Sequence, residues 1–277
     1  MKKYIFTDLA CEMNERDHMK KKVISDSIQK IISEKINAKG AVKRYITFNT
    51  PKLWMLTDEE FFLLKHEIIS ELQILVSSNC NTEYLKNGLS FLIVGLGNPH
   101  ITSDSLGAET VRHISVTHYT AEDRSNNRIM AVTPDVMGNT GIDTVEAIKS
   151  YVNTVKPNIV IAIDSLRARS YERLASTVQL SDVGITPGGG IQNGKSALDR
   201  DTLGVPVISV GVPTVVNSST MICEALAKCD MDLDTPVLRN LLDNGLDFLV
   251  TPKESDVLIT ASALLLASVL NDLNEFI

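Results

Sequence analysis

The chain has 277 residues, which is enough for one large domain or two small ones. Hydrophobic residues make up 44% and charged residues 22% of it, as in a globular protein with a sizeable core. A net charge of −7 and four scattered cysteines argue against a nucleic-acid binder, a disulfide scaffold and a zinc site, and no apolar run approaches the roughly 18 residues that span a bilayer. We therefore expect a cytoplasmic protein that binds neither nucleic acid nor membrane.

The first ninety residues are predicted to be mostly helical. Between Asp17 and Lys39, apolar residues recur at spacings of three and four, as on one face of a helix. Thr57 and Glu60 have the spacing of a capping box, which predicts that a second helix begins there. The segment 41–49 alternates weakly and is interpreted as an edge strand.

From residue 89 onward, short apolar runs alternate with helical stretches. This alternation is typical of an α/β fold in which helices cover both faces of a sheet. We predict a three-layer α/β domain with a mostly parallel sheet and a helical N-terminal layer. Thr177–Ser181 is polar enough to be an exposed or antiparallel strand, and the last helix is predicted to start near Thr251 and Pro252. The other predicted elements are strands at Phe91–Leu96, Ile129–Thr133, Ile159–Ile163 and Val205–Val210, and helices at Leu106–Thr117 and Thr144–Lys156.

Two aspartates lie where the predicted strands end. Asp164 directly follows the run Ile159–Ile163, and Asp104 lies in the loop after the first of these strands. In an open parallel sheet, ligands bind beyond the carboxyl ends of the strands, so the two carboxyls can face one crevice. Two carboxylates that share a site cannot both ionise cheaply, so one of them keeps a proton. Such a pair can activate water and protonate a leaving group, or it can bind a divalent cation.

Each of these aspartates also has a purely structural interpretation. Asp104 could cap the helix that follows it, because aspartate is favoured at helix N-termini. Asp164 could form an ion pair with Arg167 or Arg169. Residues 189–196 match the spacing of a phosphate-binding P-loop that includes Lys195, but no buried strand precedes them, so a flexible glycine-rich loop is the preferred interpretation.

Several segments occur in the order found in the germination proteases of endospore-forming bacteria, and the chain resembles that family over nearly its whole length. The segments are Thr7–Ala10, Phe91–Asn98, Thr102–Gly107, Val136–Gly141, Ile161–Leu166, Ser181–Ile185, Gly211–Val216 and Val250–Glu254. The resemblance implies an endopeptidase that degrades small acid-soluble spore proteins during germination. It also implies a fold related to that of hydrogenase-maturation proteases, a location in the forespore or spore core, and a homo-oligomer such as a tetramer.

The same resemblance assigns the candidate site residues. The family's two essential aspartates correspond to Asp104 and Asp164, which implies an atypical aspartic mechanism without a cofactor. A divalent metal at the same two carboxyls is the alternative, because the related maturation proteases bind metal there. Family members are made as self-cleaving zymogens, so the bond Asp8–Leu9 is the expected cleavage site, residues 1–8 a propeptide and residues 9–277 a single peptidase domain.

The sequence does not identify residues that bind substrate, and it departs from the family in several respects. Ser105 and Ser165 stand where alanine is common in the family, and Pro99-His100 alters the first loop. The chain is shorter than the usual member, and the stretch 217–249 looks abbreviated. A noncatalytic sporulation protein that binds a peptide partner through the same crevice is the alternative function.

Overall fold

A mixed β-sheet runs through the centre of the molecule. The computed structural model describes residues 4–13, 19–36, 40, 42–80, 88–119, 127–187, 197–232, 235–244 and 248–275. Strands follow one another across the sheet in the order β1-β2-β3-β7-β8-β6-β4-β5, and β9 pairs with the end of β8. The strands are β1 (Met19–Val23), β2 (Gln29–Ile36), β3 (Val42–Asn49), β4 (Ser90–Gly95), β5 (Arg128–Val132), β6 (Ile159–Arg167), β7 (Thr177–Ser181), β8 (Val207–Asn217) and β9 (Leu249–Val250).

The prediction of a mostly parallel sheet is wrong. Strands β4, β5, β6 and β8 do pair in parallel, as expected where helices connect consecutive strands. The remaining pairings are antiparallel, and they make up five of the eight among the described strands. An antiparallel half is thus joined to the parallel half along β7 and β8, and the α/β class itself is confirmed.

Helices pack against both faces of the parallel half. The helices are α1 (Ala10–Met13), α2 (Asp58–Asn79), α3 (Leu106–Arg112), α4 (Met137–Thr140), α5 (Thr144–Val155), α6 (Arg200–Leu203), α7 (Ser218–Lys228), α8 (Pro236–Asp243) and α9 (Ser255–Asn271). Alternate residues of β4 and β6 point to opposite faces of the sheet. Helices α2, α3 and α9 pack on one face, and α5 and α6 pack on the other. No helix within these described ranges combines the length and apolar character needed to cross a membrane.

The predicted helical N-terminal layer is also wrong. The apolar stripe between Asp17 and Lys39 belongs to a β-hairpin, in which Met19 pairs with Ser33 and Val23 with Gln29. The sequence Ser25-Asp26-Ser27 lies at the turn, and such short polar residues favour turns because their side chains bond to nearby backbone groups. Strand β2 then pairs along its whole length with β3, so tertiary pairing overrides the helical spacing.

Other predicted helices and strands are present, but their boundaries or their positions in the sheet differ from the prediction. The capping box at Thr57 and Glu60 is present and begins α2. Strand β3 is internal rather than an edge strand, because it lies between β2 and β7, and Thr177–Ser181 is antiparallel but fully buried. Helix α3 ends at Arg112 and α9 begins at Ser255, so both are shorter than predicted. The P-loop-like residues 189–196 lie outside the described residues.

Candidate active site

Asp164 lies in β6 at the point where the strand reaches a cleft. The residues before it are fully buried, and Asp164 itself is only 9% exposed. One of its carboxyl oxygens, Oδ1, accepts the backbone N–H of Ser165 at 2.9 Å. In the sheet it is paired with Gly211 of β8, where an added Cβ would lie 2.6 Å from Cγ of Leu166. The absence of a side chain at Gly211 therefore leaves room for the side chain of Leu166 beside Asp164.

Asp104 approaches from the loop that follows β4, the neighbour of β6. The backbone N–H of Asn98 donates to Oδ2 of Asp104 at 2.7 Å. Gly97 has φ +95°, and a Cβ there would lie 2.0 Å from the backbone oxygen of Asp104, so only glycine fits. The hydroxyl of Thr214 donates to the backbone oxygen of Ser103 at 2.6 Å and ties this loop to β8.

The two carboxyls lie at one cleft. Asp104 and Asp164 both line a cleft of about 950 Å³ and an adjoining pocket of about 90 Å³. Burial raises the pKa of Asp164 well above its usual value, and the charges of Asp104 and Asp8 raise it further. Burial also raises the pKa of Asp104, although the N–H of Asn98 opposes that rise. This pair therefore favours one ionised and one protonated carboxyl.

The structural interpretations of the two aspartates are not supported. Helix α3 has Ser105 at its N-cap and no side-chain cap, so Asp104 does not cap it. Arg167 forms its ion pair with Asp8, and Arg169 forms its ion pair with Glu224. Neither arginine is therefore the direct partner of Asp164 among the described residues.

Asp8 is held beside this site by Arg167. Oδ2 of Asp8 accepts the backbone N–H of Arg167 at 2.8 Å, and the guanidinium lies 3.2 Å from Oδ1. The backbone N–H of Asp8 donates to the backbone oxygen of Arg167 at 2.9 Å. Asp8 lines the same cleft as Asp104 and Asp164. The acidic residue of the expected cleavage site thus lies at the same cleft as the two aspartates.

Leu9 and Ala10 continue this docking on the other side of the expected cleavage site. Leu9 is fully buried in an apolar cluster with Leu166, Ala168, Leu174 and Val216. The side chain of Gln179 contacts the backbone on both sides of Leu9, because Nε2 donates to the oxygen of Asp8 at 3.0 Å and Oε1 accepts the N–H of Ala10 at 2.7 Å.

Comparison with known proteins bears on what this cleft does. A model of the germination protease family matches residues 5–229, which include both aspartates and the docked segment. The chain is 30% identical, over an alignment 303 residues long, to a germination protease of Clostridium perfringens, covering 92% of this chain and 90% of that protein. It is 35% identical over 258 residues to one from Caldanaerobacter subterraneus subsp. tengcongensis (82% and 76% coverage) and 36% over 217 residues to one from Bacillus licheniformis (74% and 58%).

The chain belongs to the germination protease family. It is therefore a peptidase, and the resemblance drawn from its motifs is confirmed. In this germination protease the motif around Gly97 and Asp104 and the motif around Asp164 come from neighbouring strands and open into one cleft.

Sequence reasoning missed two residues of the site in this member of the family. Gln179 stands in a strand whose polar residues suggested exposure, whereas all five residues of the strand are buried and Gln179 lines the cleft. Arg167 was considered only as a partner for Asp164. For Gln179 the signal was the polar composition of β7, which is unusual for a buried strand.

Possible metal ligands are few around the two aspartates of this germination protease. Among the described residues, no group of three or more His, Cys, Asp or Glu side chains is arranged to share one ion. A metal at Asp104 and Asp164 would thus need donors other than these side-chain types, such as backbone oxygens or water.

Proposed function

We propose that this chain is an endopeptidase that starts the degradation of small acid-soluble spore proteins during germination, and that it is made as a zymogen. In this proposal the first cleavage is its own, at Asp8–Leu9. The observation that carries the proposal is the docking of that bond in a cleft with two aspartates, its carbonyl oxygen bonded to Gln179. Because the cleft binds residues on both sides of the bond, it suits an endopeptidase, which cleaves within a chain.

The two aspartates divide the chemistry according to their surroundings. Asp164 is the more deeply buried and has the more strongly raised pKa, so it carries the proton. Asp104 is the ionised partner, stabilised by the N–H of Asn98. Asp104 takes a proton from a water molecule that attacks the carbonyl carbon of the scissile bond, and Asp164 gives its proton to the leaving nitrogen. The products are a carboxyl group at residue 8 and a free amine at Leu9.

The docked segment also supports the substrate class. Asp8 pairs with a cation, Leu9 fills an apolar pocket, and the small Ala10 is 1% exposed. A substrate with an acidic residue, an apolar residue and alanine in sequence would satisfy the same three contacts. The family that the chain resembles cleaves its spore-protein substrates at a sequence of this kind. We therefore expect spore proteins to be the substrates.

The test is self-cleavage of the full chain in mildly acidic buffer, followed by intact mass. We expect wild type to lose its first eight residues, and Asp104→Asn and Asp164→Asn to slow this loss by about 10²–10⁴-fold, the usual contribution of a positioned acid or base. A peptide containing Thr-Glu-Phe-Ala, added after processing, measures cleavage of a second chain.

Each outcome has a separate meaning. Cleavage that survives both substitutions would remove the aspartates from the mechanism. Loss of cleavage with a chelator alone would assign a metal to Asp104 and Asp164. Binding of the peptide without any cleavage would favour the noncatalytic peptide-binding protein. A native mass measurement tests the proposed homo-oligomer, and fractionation of sporulating cells tests the proposed forespore location.

A further inference from the structure

The side chain of Gln179 bonds to the backbone on both sides of Leu9, at the expected scissile bond. It is 6% exposed, and its two bonds run to the oxygen of Asp8 and the N–H of Ala10. The oxygen of Asp8 is the carbonyl oxygen of the bond Asp8–Leu9. A hydrogen-bond donor on that atom is in the position where negative charge develops during hydrolysis.

The sheet places Gln179 opposite the reactive aspartate. Gln179 of β7 pairs with Gly211 of β8, and Gly211 pairs in turn with Asp164 of β6. Residues directly opposite each other on neighbouring strands point to the same face, so Gln179 and Asp164 flank a position that has no side chain. The docked segment is thus bonded to Gln179, and Asp8 and Asp164 line the same cleft.

We propose that Gln179 is a catalytic residue, whose Nε2 donates to the scissile carbonyl oxygen while Oε1 fixes the peptide through the N–H two residues further on. This inference rests on the proposed function, because it assumes hydrolysis at Asp8–Leu9. When the water oxygen bonds to the carbonyl carbon, the π-electron pair moves to the carbonyl oxygen and is stabilised by Nε2–H. The pair returns as the C–N bond breaks, and the nitrogen of Leu9 leaves with the proton from Asp164.

The competing role for Gln179 is to anchor the segment without any effect on the reaction. The two roles differ in what a glutamate does at this position. Gln179→Glu keeps the shape and an oxygen that accepts the N–H of Ala10, but the other oxygen donates to the carbonyl only when the carboxyl is protonated. Gln179→Met removes both bonds at every pH.

The experiment measures the first-order rate of self-cleavage of the full chain between pH 4 and pH 7.5. At pH 7.5 we expect both variants to be about 10²–10³-fold slower than wild type, the usual effect of removing one oxyanion donor. On acidification the ratio of Gln179→Glu to wild type should rise at least tenfold, whereas the ratio for Gln179→Met should stay constant. Hydrogen exchange at Ala10 reports whether the segment remains docked.

A matched control on the same strand is Thr177→Val. Thr177 stands two residues before Gln179, so it points to the same face, and its buried hydroxyl makes no hydrogen bond to any described residue. Because Thr177 does not line the cleft, this variant should cleave at the wild-type rate. A loss equal to that of Gln179→Met would show that any change in β7 is sufficient, and would overturn the assignment.

The remaining outcomes separate this inference from the proposed function. If Asp164→Asn cleaves like wild type, or wild type cuts at another bond, the proposed mechanism fails and the role of Gln179 fails with it. If Asp164→Asn is inactive but Gln179→Glu cleaves within about threefold of wild type at pH 7.5, only the role of Gln179 is wrong. A third outcome is that both Gln179 variants lose cleavage in proportion to the loss of hydrogen-exchange protection at Ala10, and that Gln179→Glu does not recover in acid. Gln179 would then only anchor the segment.

Discussion

Two groups of buried acids in this protein have opposite surroundings. Glu67 and Glu71 of α2 share the ammonium of Lys30 from β2, at 2.8 and 2.6 Å. Asp104 and Asp164 have no cation bonded to them among the described residues, since the nearby Arg167 is paired with Asp8. The first group lies where the antiparallel hairpin packs on a helix, and the second lies in the parallel half, with Asp164 within β6 and Asp104 in the loop after β4.

The difference shows how the same type of side chain serves structure or chemistry. Burial lowers the pKa of Lys30, but hydrogen bonds to Glu67 and Glu71 outweigh it and raise the pKa, so the cation is retained. At Asp164 burial and neighbouring carboxyls act in the same direction and favour the protonated form. A compensated acid group holds two elements together, whereas an uncompensated one keeps a transferable proton.

The largest expected effect comes from removing the cation of the first group. Lys30→Met leaves Glu67 and Glu71 buried without compensation, which typically lowers the free energy of unfolding by about 3–5 kcal/mol. Urea unfolding measures this change. Self-cleavage per folded molecule should stay at the wild-type rate, because Lys30 does not line the cleft.

A surface ion pair supplies the matched control. Lys65 lies 2.8 Å from Asp272 and both side chains are partly exposed, so Lys65→Met should cost less than about 1 kcal/mol. If Lys30→Met and Lys65→Met lowered the free energy of unfolding equally, Lys30 would not be compensating buried charges at Glu67 and Glu71. A slower cleavage rate in the folded Lys30→Met protein would show that the two groups are not independent.

The sequence predicted the second group and missed the first, for physical reasons. Parallel strands have continuous apolar runs, so the run Ile159–Ile163 and the position of Asp164 at its end can be recognised locally. The partners of Lys30, by contrast, are recognised only once the segment 19–36 is known to be a hairpin whose second strand pairs with β3. Apolar residues such as Val23 and Ile31 fit a helical spacing and are also β-branched, so local pattern alone could not decide.

The same limit applies to the docking of the cleavage segment. The motif Thr7–Ala10 was recognised from its resemblance, but its partners are about 160 residues away and on different strands. Gln179 reaches Ala10 from β7, which lies between β3 and β8 in the sheet. No spacing within the chain encodes that pairing, so substrate-binding residues were not predicted.

A smaller effect is expected at the ion pair between Asp8 and Arg167, which holds the docked segment at the cleft. Arg167→Met removes the cation that binds Asp8, and hydrogen bonds to charged groups contribute about 1.5–3 kcal/mol. We therefore expect self-cleavage to slow by roughly 10–100-fold. The Asp8→Asn variant should slow it similarly, and the double variant little further, because both changes remove one interaction.

Arg169→Met is the matched control for this prediction. Its guanidinium bonds to Glu224 at 2.6 Å rather than to the docked segment, so cleavage should be unchanged. In a peptide assay, Arg167→Met should also lose the preference for an acidic over an amide residue before the scissile bond. A retained preference would mean that another group recognises the acid.

The smallest expected effect is a gain in stability at Asp164. In the unfolded chain an aspartate titrates near pH 3.9, whereas burial raises the pKa of Asp164 in the folded state. Between these two pKa values the folded state binds a proton that the unfolded state does not, so stability falls as the pH rises through this range. An asparagine at this position does not titrate, and Asp164→Asn should therefore be more stable than wild type near neutral pH.

This gain is best measured where no cleavage can occur. In an Asp104→Asn background, the second change Asp164→Asn should raise Tm at pH 7.5, by about 2–4 °C for each kcal/mol gained, and have little effect near pH 3.5. The gain should grow with pH because only the ionised carboxyl is penalised by burial. A gain that is constant with pH would mean that Asp164 is ionised in the folded protein. Asp164 would then resemble Glu67 and Glu71 and would not contrast with them.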